Sequence, residues 1–264
     1  MKSIVLSTTI CSTLLLAGCG VPDNSAMSCF NADLYQTDNA YLMVEFDGNQ
    51  PTSYLSTTLT AGEHPQQASG IGLQRMHQVD IGSDIHYRET LAIDADNHQF
   101  ALQSSEKNSS FGVFKRKENG APQLIDFNFA KQGESRHSSY SYINEFALDD
   151  DQDSVTMNYE QTTTFHGIEQ ITTPAGTFST CHMEVTTKVT NADDGQPHKL
   201  TIHTWYAQQL GIPADMSISG EEAVSANRYR LVHAQVNGDT FAPTPADIEK
   251  LHLAEILATA NTQG

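Results

Sequence analysis

VTMNYEQTTTF, Val155 to Phe165, alternates apolar and polar side chains along most of its length. Val155, Met157, Tyr159 and Phe165 fall on one side of an extended chain. Thr156, Asn158, Glu160, Thr162 and Thr164 fall on the other. A period of two is that of a strand with one buried and one wetted face. The threonines suit the wet side, because a β-branched side chain fits a pleated surface at little conformational cost.

The same pattern extends in both directions. Downstream, Ile171–Val185 reads ITTPAGTFSTCHMEV, and Pro174 and Gly176 suit the second and fourth positions of a type I turn. That turn sets the register, so Cys181, Met183 and Val185 share the buried face, and Val189 continues it. Asp193-Asp194-Gly195 turns the chain, Leu200 to Tyr206 returns it, and Arg228 to Val236 makes the last long strand before Asn237-Gly238. Upstream, Leu42, Val44 and Phe46 alternate with polar neighbours. Ile85, Tyr87, Leu91 and Ile93 oppose His86, Arg88, Thr90 and Asp94. Asn119-Gly120 predicts a hairpin between Phe111–Lys117 and Gln123–Phe129. The fold class is therefore mainly β: an antiparallel meander forming an open or partly closed barrel. After Pro243-Thr244-Pro245, residues Ala246 to Ala260 are rich in Ala, Leu, Ile and Glu and predict a C-terminal α-helix.

The N-terminus sets the compartment. Met1-Lys2-Ser3 is a short basic start, Ile4 to Leu16 is mostly apolar but too short to span a bilayer stably, and Leu16-Ala17-Gly18-Cys19 follows. This order reads as an export signal. The tetrapeptide resembles the lipobox of bacterial lipoproteins, which implies cleavage before Cys19 and acyl chains on its thiol and new amino group. More than one chain is what stable anchoring needs. An ordinary signal peptide with a chance cysteine is the alternative. Gly20 after the cysteine, by resemblance to proteobacterial lipoproteins, implies the outer membrane. The domain reading is thus 1–18 lipoprotein signal peptide, 19–28 lipidated tether, 29–242 a single β domain, and 243–264 the C-terminal helix and tail.

Loss of residues 1–18 removes Lys2 and leaves 246 residues with a formal charge of −19, against −18 for the full chain. So acidic a surface repels nucleic acid and anionic headgroups, which excludes nucleic-acid binding and leaves the acyl anchor to hold the membrane. Of four cysteines, Cys11 leaves with the signal and Cys19 takes the lipid. Cys29 and Cys181 remain in an oxidising compartment, and a disulfide between them is the leading reading. Two separate buried thiols are the alternative.

Catalytic and metal motifs are sparse. Asp149, Asp151, Asp153 and Glu160 have the spacing of a Ca²⁺ loop, but Ser154 stands where the sharp turn needs Gly and a strand begins at Val155. His166, His182, His198 and His203 fall on adjacent strands without a zinc-ligand motif, so no metal site is assigned. There is no Gly-x-Ser-x-Gly, phosphate loop or dinucleotide fingerprint, and no cofactor is expected. Trp205 and Tyr206 must face opposite sides of a strand. One is core, and the other is a candidate lining for a ligand groove.

Pro174-Ala175-Gly176-Thr177-Phe178, then Cys181, then Trp205-Tyr206-Ala207 and Leu210-Gly211, resemble a broad group of uncharacterised bacterial secreted proteins and lipoproteins. Here Gln208-Gln209 stands where that group more often has a Gly-containing turn. The general look is also similar to LolA/LolB-type envelope proteins, whose curved sheet cups an acyl chain around a helix. The resemblance carries no assigned activity. The expected function is a non-catalytic cell-envelope binding module for an apolar or amphipathic ligand, or for a protein partner. An envelope-polymer-modifying enzyme and a purely structural envelope protein are the alternatives.

Overall fold

The alternating stretches build one antiparallel sheet that closes on itself. The computed structural model describes residues 24–36, 38–62, 70–80, 83–109, 112–148, 151–191, 195–220 and 227–261. In chain order the strands are β1 (Asn39–Asp47), β2 (Gln50–Ala61), β3 (Ile71–Asp80), β4 (Ser83–Asp94), β5 (Gln99–Ser109), β6 (Gly112–Glu118) and β7 (Gln123–Asp126). They continue as β8 (Ser135–Leu148), β9 (Asp151–Thr173), β10 (Gly176–Asn191), β11 (Pro197–Ala207), β12 (Pro213–Gly220), β13 (Asn227–Val236) and β14 (Asp239–Phe241). Two 3-10 turns, Ala26–Cys29 and Ala32–Tyr35, come first, and helices α1 (Pro245–Lys250) and α2 (Ala254–Asn261) come last.

Each strand from β1 to β6 and from β8 to β13 pairs its sequence neighbour, β6 pairs β8, and β13 returns to β1. Among the described residues this makes a closed barrel of twelve strands, with no open edge between β1 and β13. β7 and β14 are short additions to it. The alternation read at Val155–Phe165 holds: Tyr159 and Phe165 are core residues and Met157 packs against them.

Asn119-Gly120 does not make a hairpin. β6 pairs β5 at Ser104–Ser109 and β7 pairs the same edge of β5 at Gln99–Leu102. The chain from 112 to 126 is therefore one interrupted strand, and its excursion at 119–122 leaves room for β8 on β6. The Pro174-Ala175 turn does form as read. Thr173 pairs Gly176, neither turn residue has a positive φ, and the Ala175 amide donates to Thr173 Oγ1 at 3.2 Å. A bulge follows on β9, where Gly167 sits at φ 116° and His166 is the extra residue opposite the His182–Met183 step.

One end of the barrel is plugged. Residues 25–35 enter the core, where Ala26, Cys29, Leu34 and Tyr35 are buried with Phe127, Phe129 and Phe165. Part of the segment read as tether is thus packed, because Ala26 fits beneath Phe129 and its amide donates to the Phe129 carbonyl at 2.9 Å. Cys29 and Cys181 form the disulfide, with 6.1 Å between Cα atoms and a sequence separation of 152. Tyr35 lies flat on Gly72, where any Cβ would stand 2.4 Å from its ring.

The tail is two helices, not one. Thr244 caps α1 by accepting from the Asp247 amide at 3.2 Å, with Pro245 in the first turn. His252, at φ 53°, breaks the chain before α2. Leu253 is fully buried against Leu42, Val44, Tyr54 and Val232, with Ile248, Leu251, Ile256 and Leu257 around it. The helices therefore cover the outer face of β1 and β13, while the other face of β1, Tyr41 and Met43, belongs to the interior. Elsewhere the outer wall is wet: Lys117 pairs Glu145 and Lys188 pairs Glu160 across neighbouring strands. A lipid-facing barrel would carry an apolar band there. Among the described residues no helix is long and apolar enough to cross a membrane.

Candidate functional site

Barrel strands tilt, so a rung that follows the strand pairing climbs as it crosses the wall. One inward rung runs Leu59, Gln74, Glu89, Ser105, Arg116, Asn144 and Val155, from β2 to β9. It starts at buried Leu59 beside the plug and ends at half-buried Val155. The next rung towards the mouth runs Thr57, Met76, Tyr87, Lys107, Phe114 and Phe146. Below them Leu91, Ile93, Phe100 and Leu102 are sealed. Polar and charged groups thus sit above an apolar floor, in an interior that solvent still reaches at Tyr87, Glu89, Lys107, Phe114 and Arg116.

The charged groups are set by aromatic neighbours. The Arg116 guanidinium lies over Tyr142 at 5.0 Å and Tyr159 at 5.5 Å. Lys107 Nζ lies between Tyr87 at 5.7 Å and Phe114 at 5.6 Å. Such contacts hold a cation in place while leaving its donors usable. Among the described residues neither makes an ion pair within 4 Å. Glu89 accepts from Ser105 Oγ at 3.4 Å. Burial pushes its carboxyl above the usual range, and the Arg116 charge and the Ser105 bond offset this only in part. Glu45, on β1, accepts from Ser53 Oγ at 3.0 Å. Tyr140 stacks on Tyr159 at 4.9 Å and donates to Gln161 at 3.0 Å, and Tyr142 donates to the Leu102 carbonyl at 3.3 Å. The tyrosines are a rigid panel beside Arg116.

Trp205 and Tyr206 separate as strand geometry requires. Tyr206 points inward, meets Phe127 edge-on at 4.8 Å, and has its phenol pushed up to about 12 by burial, with a Thr204 hydrogen bond opposing. It belongs to the floor. Trp205 points outward, stacks on His182 at 4.3 Å, and donates through Nε1 to Glu169. The same outer patch gathers His166, His182 and His203. His182 bonds His203 at 3.0 Å and Glu169 at 3.1 Å, and His166 bonds Glu184 at 2.9 Å. Burial, then the His166 charge, lowers the His182 pKa, against the pull of Glu169. Arg228 holds buried Asp215 by a fork of bonds of 2.8 to 3.1 Å and lies 5.8 Å over the Trp205 ring. The β9 bulge builds this patch, since it brings both His166 and Glu169 to the outer face. His198 is exposed at the far end of β11, apart from the cluster.

Asp149, the first residue of the Ca²⁺-like spacing, lies outside the described residues, as do Cys19 and the signal. Glu160 of that spacing is in mid-strand, paired with Lys188 at 3.4 Å. The inward charges were hidden in the sequence because Ser104–Ser109 has no apolar residue to mark a face. The register with Tyr87 and Leu91 on β4 is what assigns Lys107 to the interior. Gln209 takes φ 65° in the turn after β11, a conformation that costs a non-glycine residue some strain.

No protein-family model matches the chain, and no curated protein matches its sequence. Among solved structures the chain is similar to a candidate lipoprotein from Parabacteroides distasonis ATCC 8503, at 12% identity and a TM-score of 0.48. That match covers 78% of this chain and 97% of the other. It is also similar to a candidate exported protein with a YmcC-like fold from Bacteroides fragilis NCTC 9343, at 12% identity and a TM-score of 0.47, over 75% of this chain and 95% of the other. Neither score reaches 0.5, and nothing about function passes from either protein to this one.

Proposed function

We propose that this protein is a non-catalytic cell-envelope lipoprotein whose barrel interior binds an amphipathic ligand. In this reading residues 1–18 are removed, Cys19 carries the acyl anchor in the outer membrane, and residues 29–242 form the binding domain. Within residues 243–264, α1 and α2 cover its outer wall. The observation that supports it is the stratified interior: Arg116, Lys107 and Glu89 sit on two rungs above the sealed Leu91–Leu102 floor and remain within reach of solvent. An apolar body would lie against Met76, Phe114 and Phe146, with a polar or anionic head at the two cations. A few fixed polar groups in an apolar pocket are what orient such ligands.

The test is extraction of the purified full chain with organic solvent, followed by mass spectrometry. The reading expects a non-covalent amphiphile that is lost in Arg116→Met and Lys107→Met, while the chains on Cys19 stay with the protein. An extract with no amphiphile, or one equally abundant in both variants, overturns it.

A further inference from the structure

We propose that His77, Asp84 and His86 form a binding site for a divalent first-row transition ion on the outer face of the β3–β4 hairpin. His77 and His86 are directly opposite one another across the two strands. Asp84 lies two residues before His86 and so shares its face. One ligand atom from each of the three lies within 4.8 Å of the other two. His77 Nε2 is 2.6 Å and His86 Nε2 3.3 Å from the same Asp84 oxygen, Oδ1. Of the groups of three or more His, Cys, Asp and Glu among the described residues, this one meets that closeness.

The wall pre-positions the donors. His77 is 12% exposed and packs edge-on to Tyr54 at 5.9 Å, so it is the fixed member. His86 and Asp84 are 59% and 67% exposed and turn freely about it. The two imidazoles are stacked at 4.3 Å with 2° between planes. Binding needs the His86 ring to tilt, since an ion must lie near the plane of each ring. That is a soft rotation about a terminal torsion.

The donor set selects the ion. Two imidazoles and one carboxylate suit zinc, copper, nickel or iron(II) and leave positions for water. Calcium and magnesium demand more oxygen ligands than this site has. The Arg75–Arg88 pair on the next outward rung makes the site poorer still for a hard cation, which binds by charge alone. The site faces away from the barrel interior and does not depend on what the interior binds.

The experiment uses tag-free full chain stripped with EDTA, titrated with zinc chloride by calorimetry and with cobalt(II) by visible absorption. One ion per chain is expected at this site, with a cobalt spectrum of nitrogen and oxygen ligation and no heat with calcium. His86→Ala and Asp84→Asn, both at exposed positions, should each weaken zinc binding at least about tenfold, since loss of a supporting residue alone costs that much. Their thermal melts in EDTA should match the parent. His182→Ala should leave the titration unchanged. The absence of zinc binding, binding that survives both substitutions, or binding that vanishes in His182→Ala instead would overturn the assignment.

Discussion

At the plugged end of the barrel, Phe127, Phe129 and Phe165 are sealed, Tyr35 lies on Gly72, and a disulfide ties residue 29 to residue 181. Halfway towards the mouth, β4, β5 and β6 carry Glu89, Lys107 and Arg116 on their inner face with solvent access. A twelve-stranded circuit is wide, and side chains alone fill barrels of about eight strands. The chain fills the extra width at one end with its own N-terminus. At the other it lines the wall with charge and aromatic rings. The floor holds the packed core, and the polar rungs above it are where the proposed ligand would sit.

The largest test of that division is removal of the staple. Chain entropy sets a ceiling of about 5 kcal/mol for a loop this long, with native strain subtracting from it. The double variant Cys29→Ser, Cys181→Ser should lose several kcal/mol in urea unfolding, and the plug should become open to proteolysis. A loss below about 1 kcal/mol would mean that the plug is held by packing alone.

Phe165→Ala comes next. It deletes a fully buried ring, for which the usual cost is about 3–5 kcal/mol, and calorimetric melting should show a matching fall in Tm. Leu253→Ala follows at about 2–3 kcal/mol, since this side chain is the centre of the helix-to-wall contact. Because α1 and α2 lie outside the barrel, its loss should free the tail before the barrel melts. One cooperative transition would instead make the tail part of the same unit.

The wall was legible in the sequence wherever one face was apolar. Val155–Phe165, Ile85–Ile93 and Cys181–Val189 all declared their inner sides, and Pro174-Ala175-Gly176 declared its turn. The disulfide followed from compartment and count. The closure was not legible, because pairing of β1 with β13 joins residues nearly 200 apart and leaves no local mark. The alternation of Leu42, Val44 and Phe46 does not say which side of the barrel they take. They lie on the outer one, since Tyr41 and Met43 take the interior and the cover comes from the far end of the chain. Asn119-Gly120 misled because a turn signal reports a local bend and not which strand pairs next. The His77–His86 pair was invisible for the same reason: each histidine looks like a solvated residue until the hairpin register sets them opposite.

The smallest effect has the opposite sign, and it bears on whether the mouth is built for stability at all. Glu89 has its pKa raised, chiefly by burial. The folded state therefore holds its proton to a higher pH than the unfolded chain does. As pH rises from the ordinary glutamate range through the folded value, the unfolded state loses its proton first, and stability falls. Burial opposes ionisation of this carboxyl, and Arg116 and Ser105 only partly offset that cost. Glu89→Gln should raise Tm at neutral pH and flatten this part of the pH profile. The lowered pKa of His182 and of His233 should leave a separate loss of stability, in both proteins, as pH falls below the ordinary histidine value. A Tm that drops in Glu89→Gln would place the rung with the floor, as a structural layer. A Tm that rises while co-purifying amphiphile is lost would show that the barrel keeps a destabilising charge inside its wall for the ligand it holds.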